Sequence, residues 1–298
     1  MQVGSRRCIV NPVSGTGDHT DYVRRLMAAR GFEVVETTGP EDAARKGLEA
    51  GRDDVSELAV CGGDGTVNDV LRGLASANHL GDVTLSVVPA GTANILAGNV
   101  GVRDIEHGVE VADTGDVRTV DLGVAGDEPF AVSCIAGLPA DASVAASGDL
   151  KERFGTLAFL LTGAQEALQF DALRVTLEDG DGGKLWSGEA LCVLVGNARR
   201  FVEKGGQANM EDGRFDVVVV EQMPNRNLVA ESVAHRLLGR QTDGVTHLQT
   251  SDLRVASEDG PITFSRDGEL STHEELAARA RPSALDLRVG PAYAPDPT

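Results

Sequence analysis

The run CGGDGTVND, Cys61–Asp69, carries the densest chemistry in the chain. It follows an apolar stretch that reads as a strand and precedes a helical pattern, the place where an open α/β sheet presents ligands. Gly62, Gly63 and Gly65 permit positive φ and close backbone approach, so their N–H groups are expected to form an anion-binding nest at the start of the helix. Asp64 puts a carboxylate among those amides, which makes sense where it orients Mg²⁺ or its waters beside phosphates. The alternative is a tight strand-to-helix turn with Asp64 and Thr66 as caps. Two further loops share this character: NPVSGTG from Asn11 and PAGTANILAGNVG from Pro89. Three polar, glycine-bearing loops at the strand ends of one sheet predict a phosphate and nucleotide crevice. The pattern G-x-x-x-x-G-K-[ST] is absent from the sequence, which excludes the P-loop kinases.

Elements that would hold these loops are legible around them. Strand-like segments Arg7–Val10, Phe32–Glu36, Leu58–Val60 and Leu85–Val88 alternate with helical patterns, which predicts a parallel sheet covered by helices. After Asp121 the segments become short, β-rich and separated by Gly, Asp and Asn turns, with helical patterns only at about 150–168 and 227–238. The expected organisation is an α/β nucleotide-binding domain over residues 1–122, a β-rich domain of β-sandwich type over 123–290, and a tail over 291–298. In the second domain RDGE, Arg266–Glu269, reads by itself as a hairpin with Asp-Gly at its tip.

Composition narrows the partners. The formal net charge is −19, and only Lys46, Lys151, Lys184 and Lys204 are lysines among 27 basic residues. Acid excess without acidic tracts reads as a surface suited to high salt. It argues against nucleic acid, which needs a basic face, and against tight docking on anionic membranes at low salt. No apolar run approaches the roughly 20 residues of a membrane span, and the N-terminus lacks the apolar core of a signal peptide, so a cytoplasmic protein is expected. Cys8, Cys61, Cys134 and Cys192 lie in or beside apolar runs without CxxC spacing and read as buried, reduced thiols. The six histidines lack ligand spacing and read as structural or exposed, and Trp186 reads as packing.

In this order and spacing, NPVSG, GGDGTVNDV and PAGTANILAGNVG resemble the catalytic domain of the diacylglycerol kinase family, which includes bacterial lipid kinases and sphingosine kinases. TTGPEDA from Thr37, DTGDVRTVDLG ending at Gly123, KERFGTLAF from Lys151, GGQANMEDGRFDVVVV from Gly205 and RDGE continue the resemblance over nearly the whole chain. GGDGT alone is shared with NAD kinases. The resemblance implies an ATP-dependent lipid kinase using Mg²⁺, with its active site in the cleft between two domains. ATP would be surrounded by Asn11, Ser14, Thr37, Gly62, Gly63, Asp64, Gly65, Thr66, Val67, Asn68, Gly91, Thr92 and Asn94, and Asp121 would join the Mg²⁺ and water network. Asp267 is the implied base with Glu269 beside it, and Asp64 is the proton acceptor suggested by sphingosine-kinase-like relatives. Asp212, with carbonyls of Asn209 and Arg214, resembles a structural metal site, the alternative being a turn before a strand.

Three departures bear on the substrate. Ile95 stands where many bacterial members carry an acid, Pro139 where a glycine is common, and Asn197–Gly206 lacks the usual proline. The acceptor class is a lipid alcohol at a membrane surface: diacylglycerol, a glycerol diether, a long-chain base or a polyprenol. The enzyme would then work peripherally on that membrane, with a homodimer left open. The rival readings are an NAD kinase-like enzyme on a soluble substrate and a nucleotide-binding regulatory module without turnover.

Overall fold

The structure, a computed structural model, describes residues 5–137, 172–198, 208–222 and 244–295. The helices expected near 150–168 and 227–238, Lys151 and Pro139 lie outside these residues. The chain forms two compact units, one of Met1–Leu122 with Arg281–Pro295 and one built on Gly123–Ala280.

In the first unit strand and helix alternate as β1 (Ser5–Val10), α1 (Thr20–Ala28), β2 (Glu33–Glu36), α2 (Asp42–Arg52), β3 (Val55–Gly62), α3 (Asp64–Ser76), β4 (Thr84–Pro89), α4 (Ile95–Asn99) and α5 (Ile105–Thr114). The strands are parallel in the order β2-β1-β3-β4. Their central residues, including Ile9, Leu58, Val60 and Leu85, are fully buried, as expected of a sheet covered on both faces. Val67, Val70, Leu71 and Leu74 of α3 recur at helical spacing and are buried together, which fixes how α3 lies on the sheet.

Strands of the second unit are β5 (Asp116–Ala125), β6 (Glu128–Phe130), β7 (Ser133–Gly137), β8 (Leu173–Glu178), β9 (Lys184–Gly196), β10 (Phe215–Glu221), β11 (Val245–Thr250), β12 (Asp252–Ser257), β13 (Ile262–Arg266), β14 (Glu269–His273) and β15 (Glu275–Val289). β5 begins in the first unit and β15 ends there. The antiparallel order β14-β13-β7-β9-β8-β12-β15, with β10 and β11 branching from β9, surrounds a core in which Phe130 and Phe215 stack at 5.5 Å. Trp186 packs at the edge of this core and donates to Glu221. Leu285–Val289, read from sequence as a strand of the β-rich domain, is the end of β15 and runs parallel to β4 through Asp286–Thr84 and Leu287–Leu85. The alternation of buried Leu276, Ala278 and Ala280 lapses at 281–283 and resumes at Leu285, with Ser283 at φ 50°. The carboxylate of Asp121 accepts the Ser283 N–H there at 2.8 Å.

All four thiols are buried, and burial pushes Cys61, Cys134 and Cys192 from 9.0 up to about 12 and Cys8 well above its ordinary value. A raised folded pKa means that the contribution of the neutral thiols is intact below about 9 and is lost as pH rises toward 12. Melting temperature should therefore fall with pH across that interval, and Ellman's reagent near neutral pH should find no thiol before denaturation and four after it.

Arginine dominates the surface pairs, with Arg6 between Glu57 and Asp113 and over the Phe32 ring at 4.1 Å, and Arg7 between Glu33 and Asp53. Salt weakens such pairs where they are exposed, and exposed pairs are worth only about 0–1 kcal/mol each. Screening of the −19 net charge acts in the other direction, over the whole surface. The thermal midpoint should rise from low to molar KCl; a flat or falling midpoint would remove the high-salt reading. No helix among the described residues is long and apolar enough to cross a membrane.

Candidate functional site

From β1 the chain crosses outward to β2 and then back past β1 to β3. The two connections leave in opposite directions, which opens a crevice at the C-terminal ends of β1 and β3. The three expected loops meet there. Asn11 donates from Nδ2 to the Thr66 hydroxyl at 2.8 Å, and its own N–H reaches the Cys61 carbonyl. Buried His19 bonds through Nε2 to the Asn11 carbonyl at 3.2 Å, fixing the NPVSG loop against the start of α1. The N–H groups of Ser14 and Thr37 donate to the carbonyls of Asn11 and Val10, which brings the end of β2 to the same edge.

Of the two properties that glycine permits at the GGDG turn, close approach is the one used, and positive φ is not. Gly63 is extended and Gly65 lies within α3, and the positive-φ glycines of the neighbouring loop are Gly15 and Gly17. A Cβ on Gly91 would stand 2.4 Å from the Cα of Gly63, so the two loops touch backbone to backbone. A Cβ on Gly65 would meet nothing within 4 Å. The first turn of α3 thus has an open side, and its N-cap, Gly63, supplies no side chain to the amides.

Asp64 and Asn94 lock the crevice. Asn94, at φ 48°, accepts the Gly91 N–H at 2.9 Å and donates back to the Gly91 carbonyl at 2.7 Å. The Asp64 carboxylate accepts the N–H groups of Ile95 and Leu96, each at 3.0 Å, and so caps α4 from a different helix. Ile95, whose side chain departs from the resemblance, contributes through its backbone, an arrangement that no sequence signal announced. Thr92 is exposed at the rim, whereas Thr66, Val67 and Asn68 are buried in α3. Asp121 is buried at 2% exposure, at the break in β15.

In the second unit Asp267 and Gly268 form the tip of the β13–β14 hairpin, both at positive φ as a type I′ turn requires. The Asp267 carboxylate accepts three backbone N–H groups, from Ala131 at 2.6 Å, Val132 at 3.0 Å and Ser133 at 2.8 Å. Its own N–H donates to the Ser133 carbonyl. Asp267 therefore clasps the β6–β7 connection, while Glu269, two residues on, is exposed at the start of β14. Asn209 and Asp212 accept the N–H groups of Glu211 and Arg214 at 2.9 Å each, forming side-chain-capped turns before β10. Among the described residues no three His, Cys, Asp or Glu side chains cluster as a metal site.

Residues 6–125 match the family described as diacylglycerol kinase catalytic domain, and residues 132–289 match the YegS C-terminal NAD kinase beta sandwich-like domain. The chain belongs to the diacylglycerol kinase family. A Pseudomonas putida protein described as "Probable lipid kinase YegS-like" is 31% identical, the match covering 89% of this chain and 87% of that one. A Bacillus subtilis protein described as "Diacylglycerol kinase" is 28% identical over 72% and 73% of the two chains. A solved structure described as a diacylglycerol kinase of Bacillus anthracis superposes with a TM-score of 0.77 at 19% identity, covering 99% of this chain and all 100% of that one. A second solved chain from the same organism gives a TM-score of 0.85 at 23% identity over 97% and 96%. These structures share the fold found here, an α/β domain with parallel strands followed by a β-rich domain.

Proposed function

We propose that this member of the diacylglycerol kinase family transfers the γ-phosphoryl group of ATP to the hydroxyl of a lipid alcohol. The observation that carries the nucleotide half is the close approach of Gly63 to Gly91, with the first turn of α3 beginning at Gly63 and open on the side of Gly65. Helix N-termini bind phosphate through amides and dipole, so residues of the NPVSG, GGDGT and GTAN loops would cradle ATP there. Asp64 gives this edge a hard oxygen donor that fits Mg²⁺; Asp121 would join that network, and Asp212 with the carbonyls of Asn209 and Arg214 would hold a second, structural ion. When bound, Mg²⁺ supplies charge neutralisation on the β- and γ-phosphates.

For proton removal the geometry favours Glu269 over Asp267. Three amides already occupy the Asp267 carboxylate, and two occupy that of Asp64, whereas the side chain of Glu269 is exposed. Glu269 takes the hydroxyl proton as the lipid oxygen bonds to the γ-phosphorus and the bond to the β-phosphate oxygen breaks, leaving ADP and a phosphorylated lipid. The related proteins' descriptions as lipid and diacylglycerol kinases support a lipid acceptor.

Gly65 gives a clean test of the nucleotide position. A Cβ at Gly65 would meet nothing within 4 Å outside its own helix turn, and valine suits a helix no worse than glycine, so Gly65→Val should leave the fold in place. Its side chain fills the open turn, and calorimetry should show ATP binding weakened by about tenfold or more. Full affinity would place the nucleotide elsewhere. The acceptor is tested with γ-labelled ATP, Mg²⁺ and a panel of lipid alcohols with NAD in molar KCl. Label should enter a lipid; label on NAD, or only in free phosphate, would overturn the proposal.

A further inference from the structure

Two hydrogen-bonding atoms of β14, Ser271 Oγ and His273 Nε2, are buried without a partner. They are not scattered. Strand residues alternate faces, so Glu269, Ser271 and His273 share one face of β14. Directly opposite stand Arg266, Phe264 and Ile262 of β13, and the row continues to Cys134 and Ala136 of β7. Beyond the Arg266–Glu269 pair at its end this face is apolar: Phe264, Ala136 and Cys134 line a small cavity with Val193, Val195 and Leu276, and the Phe264 ring lies 6.0 Å from that of His273. Native folds rarely leave polar atoms unpaired in such surroundings, because each forfeits its bonds to water. Two on one face, in line with the carboxylate assigned to proton removal, fit a polar group that arrives with the substrate.

We propose that Ser271 and His273 are specificity residues that bind a second polar atom of the lipid alcohol, beside the hydroxyl that Glu269 deprotonates. The inference rests on the lipid-kinase reading above and deepens it. Alternate residues of a strand are spaced by about 7 Å, so Ser271 follows Glu269 at the distance of a substituent near the reacting hydroxyl. A serine hydroxyl both donates and accepts, and imidazole Nε2 does either according to tautomer, so the pair suits an ester or ether oxygen, a hydroxyl or an amine. Glycerol lipids and long-chain bases carry such atoms; polyprenols and simple long-chain alcohols carry none. A site built around polar contacts rejects the analogue that lacks them far more strongly than an apolar pocket rejects a missing methylene.

Two probes separate the possibilities: dioleoylglycerol and oleyl alcohol, each in neutral micelles. Without ATP, dioleoylglycerol should raise the melting temperature of the wild type more than oleyl alcohol does, and Ser271→Ala and His273→Leu should each shrink that difference. With ATP and Mg²⁺, the ratio of kcat/KM for the two probes should fall by about tenfold or more in each variant while KM for ATP is unchanged. Without lipid, Ser271→Ala should melt no lower than the wild type, because it removes an unpaired group. A wild type without preference, variants that keep it, or a Ser271→Ala that melts lower would each overturn the inference. Selective binding of dioleoylglycerol without phosphate transfer would sustain the binding site and defeat the kinase reading, whereas phosphate transfer without preference would do the reverse.

Discussion

Asp267→Asn should lose turnover together with stability, by about 2–4 kcal/mol, because the side chain holds three backbone amides rather than standing free. An asparagine keeps one acceptor oxygen and turns an NH₂ toward the remaining N–H groups. At least one amide of Ala131–Ser133 then loses its partner, in a segment whose side chains are buried. Melting curves and steady-state rates on the same preparation check this. A variant with wild-type stability and a large rate loss would return Asp267 to the role of base that the family resemblance implied.

Glu269→Gln should show the opposite pattern. Glu269 is exposed at the start of β14, so replacing its carboxylate with an isosteric amide should leave melting and ATP binding unchanged. Turnover should fall by roughly 10²–10⁴, the range for loss of a general base. The loss should lie in kcat, since the proton moves in the transition state and not on substrate binding. A folded Glu269→Gln with near-normal kcat would move the assignment to Asp64, whose two amide bonds predict a mixed effect on loop order and turnover.

The contrast between these carboxylates marks what the sequence could reveal. The alternation of β1 to α5 was legible because buried positions recur at strand and helix spacing within short windows, and the three loops because Gly, Asn and Thr punctuate them. The role of Asp267 was not, since its partner Val132 lies 135 residues earlier in the chain. For Asp64 the partner Ile95 is 31 residues on, and the donor is a backbone amide that any residue type would supply. GGDG permitted either left-handed geometry or close approach, and the partner in that approach, Gly91, lies in another loop, which spacing along one segment does not encode. The return of β15 to the first sheet turns on a lapse in alternation at 281–283 that looks, in sequence, like the gap between two strands.

The most direct test of the central claim is a single turnover. Wild type and Glu269→Gln, each loaded with γ-labelled ATP and Mg²⁺ in molar KCl, are mixed with dioleoylglycerol micelles, quenched over time and extracted. The account predicts that label passes into the organic phase in the wild type and does so about a hundredfold or more slowly in Glu269→Gln, with the two proteins equally folded. Label that stays in the aqueous phase with the wild type, for this lipid and for the other lipid alcohols alike, would contradict it.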